Sequence, residues 1–323
     1  MSEAAAAESV TPERAPPQPS AARRPRVIYV MGAGHSGSTI LGVALGNCDG
    51  VFFGGELEEW VMRGGRPKFG GLERTRFWRT VSDKVRDASD LFGTQARDCL
   101  ERSSAALRID RWPARRRLRR RYRQVAGELF RAIADTADAM YVVDTSHFPL
   151  RARELQKVND IELYVIFLVR EPQSVIESYV GHINRHALLQ RRLRVFTKNA
   201  DLWLTHLLAL PVFLRQPRDH RLLLRHEQFV ADPEGVLRCI LAQVGSSAPT
   251  PDLAALRTGL ALQGNRLLWS EEVALNSHPI RPARPSRVTR LLQLPWALVL
   301  SRLRPAAAVT PGSSESVPAP LSR

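Results

Sequence analysis

The chain has 323 residues, of which 44% are hydrophobic and 24% charged, which suits one large α/β domain and excludes a wholly disordered protein. Its net charge of +15, mostly from arginine, suits nucleotides, sulfated or phosphorylated substrates, membrane headgroups or nucleic acid, although GC-rich coding yields the same excess with no function attached. Cys48, Cys99 and Cys239 lie far apart, match no metal-ligand spacing and imply a reducing compartment, and no run reaches the ~20 apolar residues of a spanning helix.

Residues 1–25, rich in Ala, Pro, Ser and Glu, are expected to be a disordered tail that is neither signal peptide nor anchor, so a cytoplasmic protein is expected. Residues 26–31 form a short apolar run ending at glycines, a buried strand, and residues 36–46 follow with helical spacing at Ile40, Leu41, Ala44 and Leu45. A second strand at 51–53 stops at Gly54-Gly55. The clearest long helix is 113–138, with Leu118, Tyr122, Val125, Leu129 and Ile133 on one stripe. Seven arginines between Arg115 and Arg123 read as a solvated face before they read as an anionic-ligand patch. Further strands are expected at 140–143, 163–169 and 221–225. Residues 291–303 read as a terminal helix on the core, with peripheral membrane contact the second reading because Pro295 interrupts it, and 304–323 as a second disordered tail. Apolar strands alternating with helices predict a single α/β domain over residues 26–303, with a central parallel sheet flanked by helices, of the P-loop nucleotide-binding type.

The first strand runs into Gly32-Ala33-Gly34-His35-Ser36-Gly37-Ser38-Thr39 and then into a helix. Glycines let backbone N–H groups approach an anion, and a helix N-terminus favours negative charge there. Gly32, Gly37 and Thr39 fit the triphosphate loop G-x-x-x-x-G-K-[ST], but Ser38 stands where the lysine belongs. Triphosphate chemistry is therefore disfavoured, while a phosphate or phosphosulfate remains natural.

His35-Ser36-Gly37-Ser38-Thr39 resembles the 5′-phosphosulfate loop of the sulfotransferases that use 3′-phosphoadenosine-5′-phosphosulfate (PAPS), commonly [R/K/H]-S-G-[ST]-[ST]. His35 departs from the commoner lysine or arginine, so its charge depends on pH. A second segment, Arg170 through Ser178 with Glu171-Pro172 between, is similar to that family's 3′-phosphate site, in which an arginine fork meets phosphate oxygens. Residues 225–233 resemble a later E-D-x-x-x-D-P stretch that shapes the fold around the sheet, and the resemblance spans roughly residues 26–245. It implies PAPS held by Gly34, His35, Ser36, Gly37, Ser38, Thr39, Arg170 and Ser178, with a late basic contact to the 3′-phosphate from the stretch Gln263-Gly264-Asn265-Arg266, and no metal.

The same resemblance implies that Glu56, in Gly54-Gly55-Glu56-Leu57-Glu58, is the general base, and that His35 stabilises the departing phosphate. The ordinary alternative makes Glu56 a helix cap with Glu58 and Glu59 in a solvated first turn. Asp144-Thr145-Ser146-His147 follows a buried strand, is expected to face the cleft, and carries His147 where relatives have lysine. His147 is a second proton-transfer group, an acceptor contact or a polar loop histidine. One rival reading is a P-loop small-molecule kinase whose magnesium is oriented by Asp144. Another is a basic nucleic-acid-binding protein centred on Arg115–Arg123, for which no motif or stacking platform exists, so no nucleic acid is expected. The acceptor is open among sugar, lipid, small alcohol, phenol and peptide. Its selection is expected in residues 60–138 and 182–200, where 182–186 and Arg191-Arg192 read as a cleft lid or a mobile loop. The oligomeric state is not predicted.

Overall fold

The computed structural model describes residues 24–180, 188–275 and 286–303. The two expected tails, save Arg24 and Pro25, and the expected lid at 182–186 lie outside the described residues.

Five strands form one parallel sheet: β1 (Arg26–Gly32), β2 (Val51–Gly55), β3 (Tyr141–His147), β4 (Glu162–Val169) and β5 (Arg221–Arg225), in the order β2-β3-β1-β4-β5. Along β1, Val27, Tyr29 and Met31 join one apolar cluster while Ile28 and Val30 join another. Because both faces of the sheet are covered, these strands are continuously apolar rather than alternating.

Eleven helices are described. The second apolar cluster packs α1 (Ser38–Gly46) against the sheet; α2 (Glu58–Met62) follows β2, and α3 (Leu72–Lys84) adds Trp78 and Val81 to the first cluster. Short α4 (Thr94–Ala96) precedes the long α5 (Trp112–Ala137). Then come α6 (Pro149–Leu155), α7 (Pro172–Val180) and α8 (Leu188–Arg215), and β5 leads to α9 (His226–Ala231) and α10 (Pro233–Gln243). The last, α11 (Arg287–Arg302), packs on α8 and α7. None of the described helices is long and apolar enough to cross a membrane.

The fold class is as the strand pattern predicts: a single α/β domain with a central parallel sheet flanked by helices. The expected long helix is displaced by one residue at each end. Part of its arginine run departs from the solvated face expected. Arg115 is buried and donates to the carbonyls of Cys99 (2.8 Å) and Ala105. Arg119 and Arg123 reach the buried Glu154 at 3.3 and 2.6 Å, while Arg116, Arg117 and Arg120 are exposed. Buried carbonyls and a buried carboxylate need donors, and a long planar guanidinium supplies them without leaving its helix. β3 also runs further than expected, through His147. Its polar end is tolerated because Asp144 and Ser146 satisfy each other and Arg151. Pro295 lies inside α11 rather than ending it.

Candidate active site

The turn between β1 and α1 is tight at two glycines. A Cβ on Gly32 would lie 2.2 Å from the Leu168 carbonyl oxygen, and one on Gly37 would lie 2.4 Å from His226 Nδ1. Gly37 also caps α1 with φ of 90°, a conformation that side chains resist. His35 takes a φ of 68° without being glycine, at a cost of about 1 kcal/mol that the surrounding turn must offset. Ser36 and Thr39 are buried and His35 is exposed at the tip, so the turn presents backbone N–H groups and one imidazole at the start of a nine-residue helix.

The two segments that resemble a nucleotide site meet there. Arg170, at the end of β4, donates from Nη1 to the His35 carbonyl at 3.0 Å. His35 Nδ1 lies 3.2 Å from Ser178 Oγ on α7, and the ring of Tyr179 stands edge-on to His35 at 5.7 Å. The start of α7 is held by Glu171, whose carboxylate accepts the Ser174 N–H at 2.6 Å, and by Glu227, which accepts the Glu171 N–H at 2.9 Å. His226, beside Gly37, is pushed down to about 4 by burial and then by the Arg170 charge. Its Nδ1 is buried with no hydrogen-bond partner among the described residues.

A cavity of about 730 Å³ opens from this turn at the carboxyl ends of the strands, where open parallel sheets bind ligands. The turn, Glu56, His147, Lys198 and Asn265 line it; Arg170 and Ser178 stand behind His35, outside the lining. Arg266 is exposed on the turn Arg266–Trp269 and is absent from the lining, its neighbour Asn265 being the residue that reaches it.

Glu56 is positioned by a close backbone approach. Its N–H donates to the Gln263 carbonyl at 2.9 Å, and Gly55 (φ of 80°) leaves no room for a Cβ, which would fall 2.2 Å from that same oxygen. Burial, then the Glu59 charge, push the Glu56 carboxyl up to about 7. Its neighbours have other partners. Glu59 pairs with Arg63 (3.0 Å) and Arg97 (2.9 Å), and Glu58 is buried beside Ser146, its carboxyl held well above the ordinary range by burial. Neither forms the expected solvated turn, because α2 lies inward against the first apolar cluster through Trp60 and Val61. No side chain caps α2, whose N-cap position is Leu57, so Glu56 is not a cap.

Asp144 was expected to face the cleft and does not. It is fully buried, accepting from the Ser146 N–H (2.9 Å), the Ser146 hydroxyl and Arg151 Nε (3.0 Å). Arg151 in turn pairs with Glu101 at 2.8 Å and contacts the Tyr122 hydroxyl. A carboxylate spent on this core network cannot orient magnesium, which removes the support for the kinase reading. His147, one pleat further on, does line the cavity. Burial, then the charge of Lys198, push it down to about 4, so it is neutral near pH 7.

Lys198 is the residue that sequence reasoning missed. It is buried on α8, with Nζ 2.7 Å from Asp201 and 5.2 Å over the Tyr179 ring, and lines the cavity beside His147. The available signal was its rarity, for it is one of four lysines in an arginine-rich chain. Among the described residues no group of three or more His, Cys, Asp or Glu could hold a metal ion.

Three solved structures bear a distant likeness. The sulfotransferase domain from the curacin biosynthetic pathway is 16% identical, covering 85% of this chain and 98% of its own, with a TM-score of 0.48. The sulfotransferase domain of the Synechococcus PCC 7002 olefin synthase is 15% identical, covering 89% and 99%, at 0.49. Sulfotransferase STF1 from Mycobacterium tuberculosis H37Rv is 15% identical, covering 70% and 69%, at 0.42. No curated protein matches the chain. The family profile described as "Sulfotransferase family" matches residues 25–250, most of the chain including every site residue above except Gln263, Asn265 and Arg266. The chain belongs to the sulfotransferase family.

Proposed function

We propose that residues 26–303 form one catalytic unit that moves a sulfuryl group from PAPS to a hydroxyl or amine acceptor. The observation that carries the reading is the contact of the glycine turn with Arg170 and Ser178 through His35, at 3.0 and 3.2 Å. Both ends of one nucleotide can then be served from one side of the sheet. The turn from Gly34 to Thr39, with Ser36, Gly37 and Ser38, takes the phosphosulfate. Arg170 and Ser178 take the ribose 3′-phosphate.

In this reading the acceptor proton passes to Glu56, whose raised pKa matches a base working near neutrality. The acceptor oxygen or nitrogen bonds to sulfur in line as the bond from sulfur to the phosphate oxygen breaks, and 3′,5′-adenosine bisphosphate leaves. Charge gathering on that phosphate is met by the turn's N–H groups, by His35 and by the ammonium of Lys198. His147, neutral in its buried position, serves as an acceptor contact instead of a second cation. The unpaired cysteines Cys48, Cys99 and Cys239 suit a reducing cytoplasm.

Calorimetry with purified protein separates this from triphosphate chemistry. Metal-independent binding of 3′,5′-adenosine bisphosphate, with ATP–magnesium binding weakly or not at all, is the expected result. Tight ATP–magnesium binding without the bisphosphate sinks the donor assignment. Labelled donor with a panel of sugars, lipids, alcohols, phenols and peptides then identifies the acceptor.

A further inference from the structure

Helix α11 is packed inside out. It turns Thr289 and Gln293 inward with Trp296 and Leu300, and presents Val288, Leu291, Leu294 and Leu298 to solvent, Leu291 being 76% exposed. Polar contacts hold the inner side: Gln293 Nε2 donates to Asn199 at 3.1 Å, and Trp203 Nε1 donates to the Leu292 carbonyl at 2.7 Å. The partner helix α8 carries its own exposed stripe, with Leu193, Phe196, Trp203, Leu207 and Leu214 recurring at helical spacing. Two adjacent helices thus leave large apolar side chains outward, which isolated exposed leucines do not explain.

The charges around these stripes have one sign. Arg287 and Arg302 lie exposed at the two ends of α11 on the apolar face, with Arg290 beside it, and α11 contains no acid. On α8, Arg192 and Arg215 are exposed, Arg194 turns to the Tyr179 hydroxyl at 3.2 Å, and the single acid, Asp201, is taken by Lys198 at 2.7 Å. An apolar stripe rimmed by arginines fits a surface that is apolar beneath and anionic at its boundary.

We propose that the face formed by α8 and α11 docks on an anionic phospholipid surface, inserting the leucines and pairing the arginines with headgroup phosphates. A second copy of the chain fits less well, because a two-fold contact would bring Arg287 of one copy near Arg302 of the other with no acid on α11 to pair them. The remaining segments of this sequence have too little to cover it: as bulky apolar side chains residues 304–323 hold only Val309, Val317 and Leu321, 1–23 only Met1 and Val10, 181–187 only Ile183 and 276–285 only Ile280. The docking does not depend on the reaction, although α8 carries both this stripe and the cavity residue Lys198.

The test sediments the full chain with vesicles of phosphatidylcholine alone and of phosphatidylcholine with phosphatidylglycerol. The chain pellets with the second and not the first, and added salt releases it. The double variant L291S/L298S lowers the partition coefficient at least about tenfold, and R287Q/R302Q lowers it about fivefold per arginine. All four positions are exposed, so melting temperature and nucleotide binding stay unchanged and report intact folding. Failure of the wild type to pellet with acidic vesicles overturns the proposal, as does unchanged pelleting of L291S/L298S. A dimer in light scattering that L291S/L298S converts to monomer also overturns it, since the face would then be a self-interface.

Discussion

Glu56→Gln separates the two consequences of a buried carboxyl because they have opposite signs. The group's pKa rises from 4.5 to about 7, and each unit is worth about 1.4 kcal/mol between protonation states. The folded chain therefore holds a proton that the unfolded chain has already released between these values. Stability contributed by the group is present in full below 4.5, falls as pH rises through the window, and is lost above about 7. There the ionised carboxylate costs the fold about 3–4 kcal/mol, a cost that glutamine never incurs. Relative to wild type, Glu56→Gln should be within about 1 kcal/mol near pH 5 and about 3–4 kcal/mol more stable near pH 8. Its sulfuryl transfer should fall by about 10²–10⁴ at pH 8 while bisphosphate binding persists. Urea unfolding at both pH values, calorimetry and a transfer assay read the three quantities. A stability difference that ignores pH would show that the carboxyl is not held protonated, and near-normal turnover would remove Glu56 as the base.

Wild-type transfer should rise tenfold per pH unit below about 7 and level above it, as the base loses its proton, which a pH–rate profile checks. Arg170→Ala should weaken 3′,5′-adenosine bisphosphate binding by about 10–100-fold by calorimetry, since it removes a charge-assisted contact. Lys198→Met should lower transfer by about 10²-fold with bisphosphate binding changed only a few-fold, because its charge is needed as the phosphate departs. Arg151→Met should cost about 3–5 kcal/mol in urea unfolding, by leaving the buried carboxylates of Asp144 and Glu101 unpaired.

The sheet was legible because parallel strands covered on both faces write themselves as apolar runs bounded by glycine. Four of the five strand segments lie within two residues of their expected ends. The turn from Gly32 to Thr39 was legible for a related reason, since only glycine satisfies the contacts at Gly32 and Gly37. The exposed and buried halves of the arginine run were not separable. Arg115 and Arg116 differ in what stands opposite them, the Cys99 and Ala105 carbonyls or solvent, and those partners are set by tertiary packing. The fate of Asp144 was hidden likewise, because the Arg151 that pairs with it is itself held by Glu101 from a separate segment of the chain. Residues 182–200 gave no motif, yet Lys198, Ala200, Asp201, Leu204 and Thr205 of α8 line the cavity, and a buried lysine there is invisible to any local motif.

The two histidines make sense together only with that lysine. With His35 on the loop and a neutral His147 at the strand end, the fixed positive charge among the described cavity-lining side chains falls to Arg102 and Lys198. Charge stabilisation at a leaving group needs donors or positive charge at a point in space, and nothing requires them to come from a given strand. Lys198 reaches that neighbourhood from α8, oriented by Asp201 at 2.7 Å and by the Tyr179 face at 5.2 Å. Its charge is also among the causes that hold His147 neutral, so the two positions are coupled: a cation at 147 would repel Lys198. His147→Lys alone should therefore lower transfer, while His147→Lys combined with Lys198→Met should recover more of it than the separate losses allow. Strictly additive losses in that cycle would show that the two side chains do not share one role.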